Sequence, residues 1–264
     1  MRKVVFIELV ACLLCACGSK QTEREAQPDA KAASLFQGIW VDDDSESVLF
    51  RASGDTIYYA DAMNAPVRFE IKGDSLYTYG NEVSRYKVDK QSEYSFWFHS
   101  LSGDVVKLHK SDSPEDSLAF GSKEVQVIPI YTEVVQRDSV AQYGGHRYHA
   151  YVYINPSSIK VFKTSFSEEG FSVDNVYYDN VIHICVYEGK RCLYSEDITK
   201  NMFEKLVPVD FLGQAILSDM NFVGVGSDGF HYQASVCIPE SVVCYLLDLR
   251  INLEGKLTME VAES

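Results

Sequence analysis

Val67-Arg68-Phe69-Glu70-Ile71-Lys72-Gly73-Asp74-Ser75-Leu76-Tyr77-Thr78-Tyr79 reads as one β-hairpin: alternating apolar and polar residues, a Gly-Asp turn, then an aromatic and β-branched run. Side chains two apart share a face of a strand, so this pattern gives one core face and one wet face. Short runs of the same kind lie on both sides. They are Trp40-Val41, Val48-Leu49-Phe50, Thr56–Tyr59, Tyr86–Val88, Tyr94–Phe98 and Val105–Leu108, with turns at Asp42-Asp43-Asp44, Ser53-Gly54-Asp55 and Gly103-Asp104. No helical period interrupts them. Turns at this spacing predict a small all-β domain over 35–122, an antiparallel meander barrel or sandwich. Composition agrees: 17 Tyr and 14 Phe stand against 2 Trp, and Tyr and Phe suit pleated, half-buried surfaces.

Charged residues and Pro114 between Ser111 and Asp116 predict a boundary. A second unit is expected over 125–264, with strands at Val125–Val135, His146–Ile154, Val173–Tyr178, Val181–Tyr187 and Arg191–Ser195. A short helical pair follows. Lys200–Leu206 is the first member, and Pro208 opens the second, with Val209, Leu212 and Ile216 on one face. Strands at Phe222–Val225, Phe230–Ile238, Val242–Asn252 and Lys256–Val261 complete an α+β antiparallel sheet unit. The fold class expected for the whole is mainly β.

The amino end carries a different message. Arg2-Lys3 precedes an apolar run, Val4–Ala16, broken by Glu8 and too short to span a bilayer, which takes about 20 apolar residues. It ends Leu14-Cys15-Ala16-Cys17-Gly18-Ser19, which resembles the lipobox of bacterial lipoproteins. The resemblance implies a signal peptide at 1–16, cleavage after the small Ala16, and acylation of Cys17. Two or three fatty chains of the palmitate type make a stable membrane anchor. Residues 17–34 then form a flexible tether. Ser19 in place of an inner-membrane-retaining Asp favours an outer-membrane lipoprotein of the cell envelope, facing the periplasm or the exterior.

Gly38-Ile39-Trp40 resembles the opening of lipocalin-like barrels, in which the Trp packs across the closed end. Fewer than 90 residues leave little room for a ligand cavity. Three further segments, Tyr148–Ser158, Asn175-Val176-Tyr177-Tyr178-Asp179-Asn180 and Ile216-Leu217-Ser218-Asp219, resemble DUF4738, a family of uncharacterised lipoproteins of Bacteroidetes, over about 125–264. That resemblance implies an envelope location and no activity.

Net charge is −14, and loss of Arg2, Lys3 and Glu8 with the leader makes the rest one unit more acidic. With no basic stripe, such a surface repels phosphate backbones and anionic lipid headgroups, which excludes nucleic acid as a partner. Four cysteines follow Cys17: Cys185, Cys192, Cys237 and Cys244. A turn at Glu188-Gly189 would oppose 185 to 192, and one at Glu240-Ser241 would oppose 237 to 244. Two local disulfides, a bridge between the hairpins, or free thiols all remain open. With no Cys-x-x-Cys among these four, neither a zinc ribbon nor a redox pair is expected. His146 and His149 are three apart on a strand, on opposite faces, so they do not share a metal. Asp42, Asp43, Asp44 and Glu46 lack the pattern of a calcium loop. Gly224–Gly229 precedes a strand and reads as a hairpin turn. No cofactor is expected.

No motif for nucleophile, phosphate or metallopeptidase chemistry stands out. Ligand-facing aromatics are sought in Tyr143, Tyr148, Tyr151, Tyr153, Tyr177 and Tyr178, whose rings suit sugars and peptides. The expectation is a non-catalytic envelope module that binds a protein, peptide or glycan. The competing one is an envelope hydrolase of glycan or peptide polymers, which requires a cleft where two or more of Asp174, Asp179, Glu188, Asp228 and His231 converge.

Overall fold

The computed structural model describes residues 27–121, 125–127 and 130–263. The leader, Cys17 and most of the expected tether lie outside them. The chain is mainly β, as the alternation requires.

Eight strands close an antiparallel barrel in simple chain order: β1 (Gly38–Asp42), β2 (Val48–Ser53), β3 (Thr56–Tyr59), β4 (Val67–Lys72), β5 (Ser75–Tyr79), β6 (Val83–Gln91), β7 (Ser95–His99) and β8 (Val105–Lys110). Closure comes from β1 pairing with both β2 and β8. The inward residues are those of the alternating runs, among them Phe50, Ile57, Phe69, Ile71, Leu76, Phe96, Phe98 and Leu108. The interior is a packed aromatic core. At one end sits a short helix, α1 (Ala30–Leu35), within the stretch expected as tether. Asp29 accepts from the N–H groups of Lys31 and Ala32, which satisfies the exposed first turn of an alanine-rich helix. Phe36 behind it is fully buried 4.6 Å from Phe96, and Trp40 donates its indole N–H to the Phe36 carbonyl at 2.7 Å.

The carboxyl-terminal half is a sandwich of two antiparallel sheets rather than one sheet. The first has the order β12 (Arg191–Ile198), β11 (Ser172–Glu188), β10 (His146–Phe166), β9 (Val135–Tyr143); the second runs β13 (Ile216–Gly226), β14 (Gly229–Cys237), β15 (Cys244–Ile251), β16 (Leu257–Val261). Ala150, Val152, Ile154, Ile182, Ile184 and Val186 face Phe230, Tyr232, Ala234, Val236, Leu247 and Leu249 across the core. The helical excursion is a single 3₁₀ turn, Lys200–Phe203, and α2 (Val209–Gln214), with Pro208 as its N-cap. The expected apolar helix face is not formed: Leu212 is buried, Val209 is exposed, and Ile216 already belongs to β13. β9 begins at Val135, not Val125. Its ladder to β10 ends at Val135–Ile154, two residues short of Pro156, which has no N–H to offer.

β10 and β11 are far longer than the sequence pattern suggested, 21 and 17 residues. They run out of the sandwich, and their tip enters the other end of the barrel. Phe171 packs on Phe98, Phe50 and Tyr86 at 4.5, 5.3 and 5.3 Å. Around it the polar groups are matched. Ser172 N–H donates to the Tyr86 hydroxyl, and Asp174 accepts from Asn81 N–H at 2.6 Å and Thr164 Oγ1 at 2.8 Å. Burial, with Tyr86 and Asp174 nearby, pushes the Tyr59 phenol well above its usual range. Gly170 takes φ +79°, and a Cβ there would come within 2.6 Å of Ser100 Cβ, so the tip requires glycine.

Candidate functional site

The outward face of the β9–β12 sheet concentrates the chemistry. On β11, Ile182, Ile184 and Val186 face the core, so His183, Cys185 and Tyr187 face out. The pairing registers align these with their neighbours in three rows. One row is Gln136, Tyr153, His183 and Asp197; the next is Asp138, Tyr151, Cys185 and Ser195; the third is Val140, His149, Tyr187 and Cys192. The rings form a continuous platform. His149 and Tyr151 stack at 6.3 Å, Tyr151 and Tyr153 at 6.2 Å, and Tyr187 meets Tyr151 edge-on at 6.1 Å. Tyr153 flanks His183 at 6.2 Å. Together they line a shallow, open groove of about 760 Å³.

The groove is populated by neutral donors. Desolvation raises the Tyr151 phenol, with Asp138 adding to it. A hydrogen bond with Cys192 raises Tyr187, and burial followed by Cys192 raises the Cys185 thiol. At neutral pH these groups keep their protons. They present hydroxyls and ring faces, which suit uncharged polar ligands.

The other aromatics singled out in the sequence go elsewhere. Tyr148, of opposite parity to Tyr151 and Tyr153, lies in the sandwich core 5.0 Å from Phe230. Tyr177 is fully buried and donates to Glu240 at 2.9 Å, and its phenol is driven well above its usual range by burial and by that carboxylate. Tyr178 is half-buried opposite Lys160, and Tyr143 is exposed at the end of β9.

Cys237 and Cys244 are cross-strand partners joined by a disulfide. Cys185 and Cys192 are free and do not oppose each other. The turn falls at Gly189-Lys190, one residue later than expected, and a bulge follows it, so Cys192 faces Tyr187 and Cys185 faces Ser195.

Of the five residues of the carboxylate-cleft reading, only Asp228 and His231 meet each other, and no second carboxylate of the five joins them. Asp174 seals the barrel junction, and buried Asp179 accepts from Leu217 N–H and from Lys200. Glu188 pairs with His146 and Arg191 at a hairpin turn, and Asp228 pairs with His231 and Arg250 at another. Hydrogen bonds from the histidines hold Glu188 and Asp228 below the ordinary carboxylate range, the opposite of what a general acid needs. Asp42 is buried and caps its own turn through Asp44 N–H and Ser45 N–H, while Asp43 pairs with His109. No group of three metal-ligating side chains occurs among the described residues. Gly226 and Gly229 oppose each other across a hairpin turn, as the following strand implied.

The sequence reading overlooked His183, Ser195, Asp197 and Gln136. The parity of β11 was the available signal. Once Ile182, Ile184 and Val186 are assigned to the core, His183 and Cys185 must join Tyr151 and Tyr153. Ser195 and Asp197 are placed only by the bulged register of β12, which no pattern announces, and Gln136 by the pairing of β9 with β10.

A filled eight-stranded barrel, plugged by a hairpin from an aromatic-faced β-sandwich, defines a two-part all-β protein. A family model described as a domain of unknown function, DUF4738, matches residues 113–259, more than half of the chain, and the chain belongs to that family. Curated proteins show no match to it.

Proposed function

We propose that the chain is an envelope lipoprotein, anchored by acylated Cys17 in the outer membrane, and that its mature part is a binding module. The recognition surface is the groove over Tyr151, Tyr153 and Tyr187, and its ligand is a glycan or peptide rich in uncharged polar groups. The observation that carries this reading is the continuous, half-buried ring platform on the solvent side of the sheet, since sheet faces left to solvent ordinarily carry charged and short polar side chains. The separation of Asp174, Asp179, Glu188 and Asp228 from one another supports recognition over hydrolysis by paired carboxylates. Residues 1–19 support the anchor, and no helix among the described residues is long and apolar enough to cross a membrane. The Gly38-Ile39-Trp40 opening and the up-and-down closure support a lipocalin-like origin for the barrel, with its ligand space filled by side chains.

Two experiments test the reading. Glycan and peptide arrays should retain the protein, and Tyr151→Ala with Tyr153→Ala should abolish retention without unfolding it. Retention unchanged in the double variant refutes the groove as the binding site. Intact mass of the native protein should show an amino end at Cys17 carrying acyl chains, and an uncut, unmodified amino end refutes the anchor.

A further inference from the structure

We propose that a serine hydrolase centre for short acyl esters sits at the edge of the same groove, which His183 lines, with Ser195 as nucleophile, His183 as general base and Asp197 as the group that orients it. This deepens the recognition reading and rests on the groove as the seat of the substrate.

Three side chains from two adjacent strands are wired in the order such chemistry needs. His183 and Asp197 are direct cross-strand partners, and Ser195 lies two residues from Asp197 on the same face. His183 Nδ1 is 2.6 Å from Asp197 Oδ1, and Ser195 Oγ is 3.1 Å from His183 Nε2. The carboxylate holds the imidazole proton on Nδ1. That leaves the Nε2 lone pair to accept from the serine hydroxyl. The arrangement is particular to this histidine. His109, His146 and His231 each meet a carboxylate, but among the described residues none of them also meets a hydroxyl.

The surroundings fit a reacting ester. Ser195 is exposed, and its row continues over Cys185 to Tyr151, the centre of the platform. β12 is the outer strand of its sheet, so its alternate N–H groups point away from β11. None of them bonds elsewhere among the described residues. They leave unpaired N–H donors on the nucleophile's own strand. The groove is open and has no deep acyl tunnel, which suits a small acyl group carried by a larger polar molecule, such as an O-acetylated sugar whose ring rests on Tyr151 and Tyr153.

Ser195 Oγ attacks the ester carbonyl carbon as its proton passes to His183 Nε2, and the carbonyl electron pair moves onto oxygen. Collapse breaks the bond to the alcohol oxygen, which leaves with the proton from Nε2. Water, deprotonated by His183, then attacks the acyl-serine, and the acid departs as Ser195 recovers its proton. Ester and water become acid and alcohol, with no change in oxidation state.

The test uses the full-length protein in detergent with two probes, p-nitrophenyl acetate turnover and a fluorophosphonate, which marks activated serines. The expected result is an adduct mapped to Ser195, absent in Ser195→Ala, with turnover lowered at least about 100-fold in Ser195→Ala and His183→Gln. Asp197→Asn should lower turnover by weakening the orientation of His183, and the pH dependence of the remaining turnover should differ from that of the parent. Absence of an adduct on Ser195, or turnover in Ser195→Ala equal to that of the parent, overturns the proposal. Retention on arrays without a Ser195 adduct defeats the hydrolase alone. A Ser195 adduct without retention upholds it and defeats the recognition reading alone.

Discussion

At the scale of single residues, position within the strand decides what a side chain does. Asp179 and Asp197 are both strand aspartates. Asp197 stands in solvent, whereas Asp179 is buried and gathers Leu217 N–H at 2.8 Å, Asn180 N–H at 2.9 Å and the Lys200 ammonium at 3.5 Å. Lys200 also donates to the Ala215 carbonyl, and burial lowers its pKa despite Asp179. Asp179 thereby ties β11 to β13 and to the helical excursion. Asp179→Ala would leave the buried Lys200 ammonium without its counter-ion and the Leu217 and Asn180 N–H groups without that acceptor, at a cost of about 3 kcal/mol by urea unfolding. Asp179→Asn keeps one acceptor oxygen and should cost less. Glu70, on the barrel exterior, is pushed down to about 2 by hydrogen bonds from Lys72, Tyr79 and Arg68. A depressed carboxylate contributes stability that is fully present above its ordinary value near 4.5 and is lost as pH falls through about 2. The melting temperature of the parent should therefore exceed that of Glu70→Gln at neutral pH, and the gap should close between pH 4.5 and 2. A gap that stays constant through that window would dismiss the role given to Glu70.

At the scale of elements, the decisive piece is the β10–β11 hairpin, because one strand pair builds half a sandwich and then plugs a barrel. Phe171 at its tip is buried among Phe50, Tyr86 and Phe98, so Phe171→Ala should cost about 3–4 kcal/mol, read as a lowered urea midpoint. The stapled β14–β15 hairpin gives a second expectation. With Cys237 and Cys244 bonded and Cys185 and Cys192 free, thiol titration of the denatured, unreduced, lipidated protein should find two thiols, and four would remove the staple. The barrel strands were legible because they alternate and most are short and bounded by Gly or Asp turns; all eight lie where the pattern puts them, though β6 is longer than its apolar run. The hairpin was not. Pro156 and the polar run Asn155–Ser158 look like a stop, yet β10 absorbs them in a bulge and resumes pairing at Lys160–Tyr178. The platform was half legible for a related reason. Tyr151 and Tyr153 declare their shared face by spacing, and so does the opposite face of Tyr148, whereas Tyr177 and Ser195 are sorted only by how the strands pair and which sheet covers which face.

At the scale of the whole molecule, the family match begins at residue 113, beyond the last barrel strand, and so covers the sandwich. Packing does not respect that division. Phe171 and Val173 of the sandwich hairpin belong to the barrel's core, and the Ala65 and Asn81 N–H groups of the barrel find their acceptors on Asp174. A barrel freed of its plug would open Phe50, Tyr86 and Phe98 to water and leave those N–H groups at a bare rim. Heat should therefore unfold barrel and sandwich in one transition, with calorimetric and van't Hoff enthalpies that agree. In Phe171→Ala the shared core is broken at its centre, and the same scan should divide into two transitions. Two separate transitions in the parent would mean that the plug adds contact without coupling, and the barrel would then have to be counted as an independent unit beside the DUF4738 sandwich.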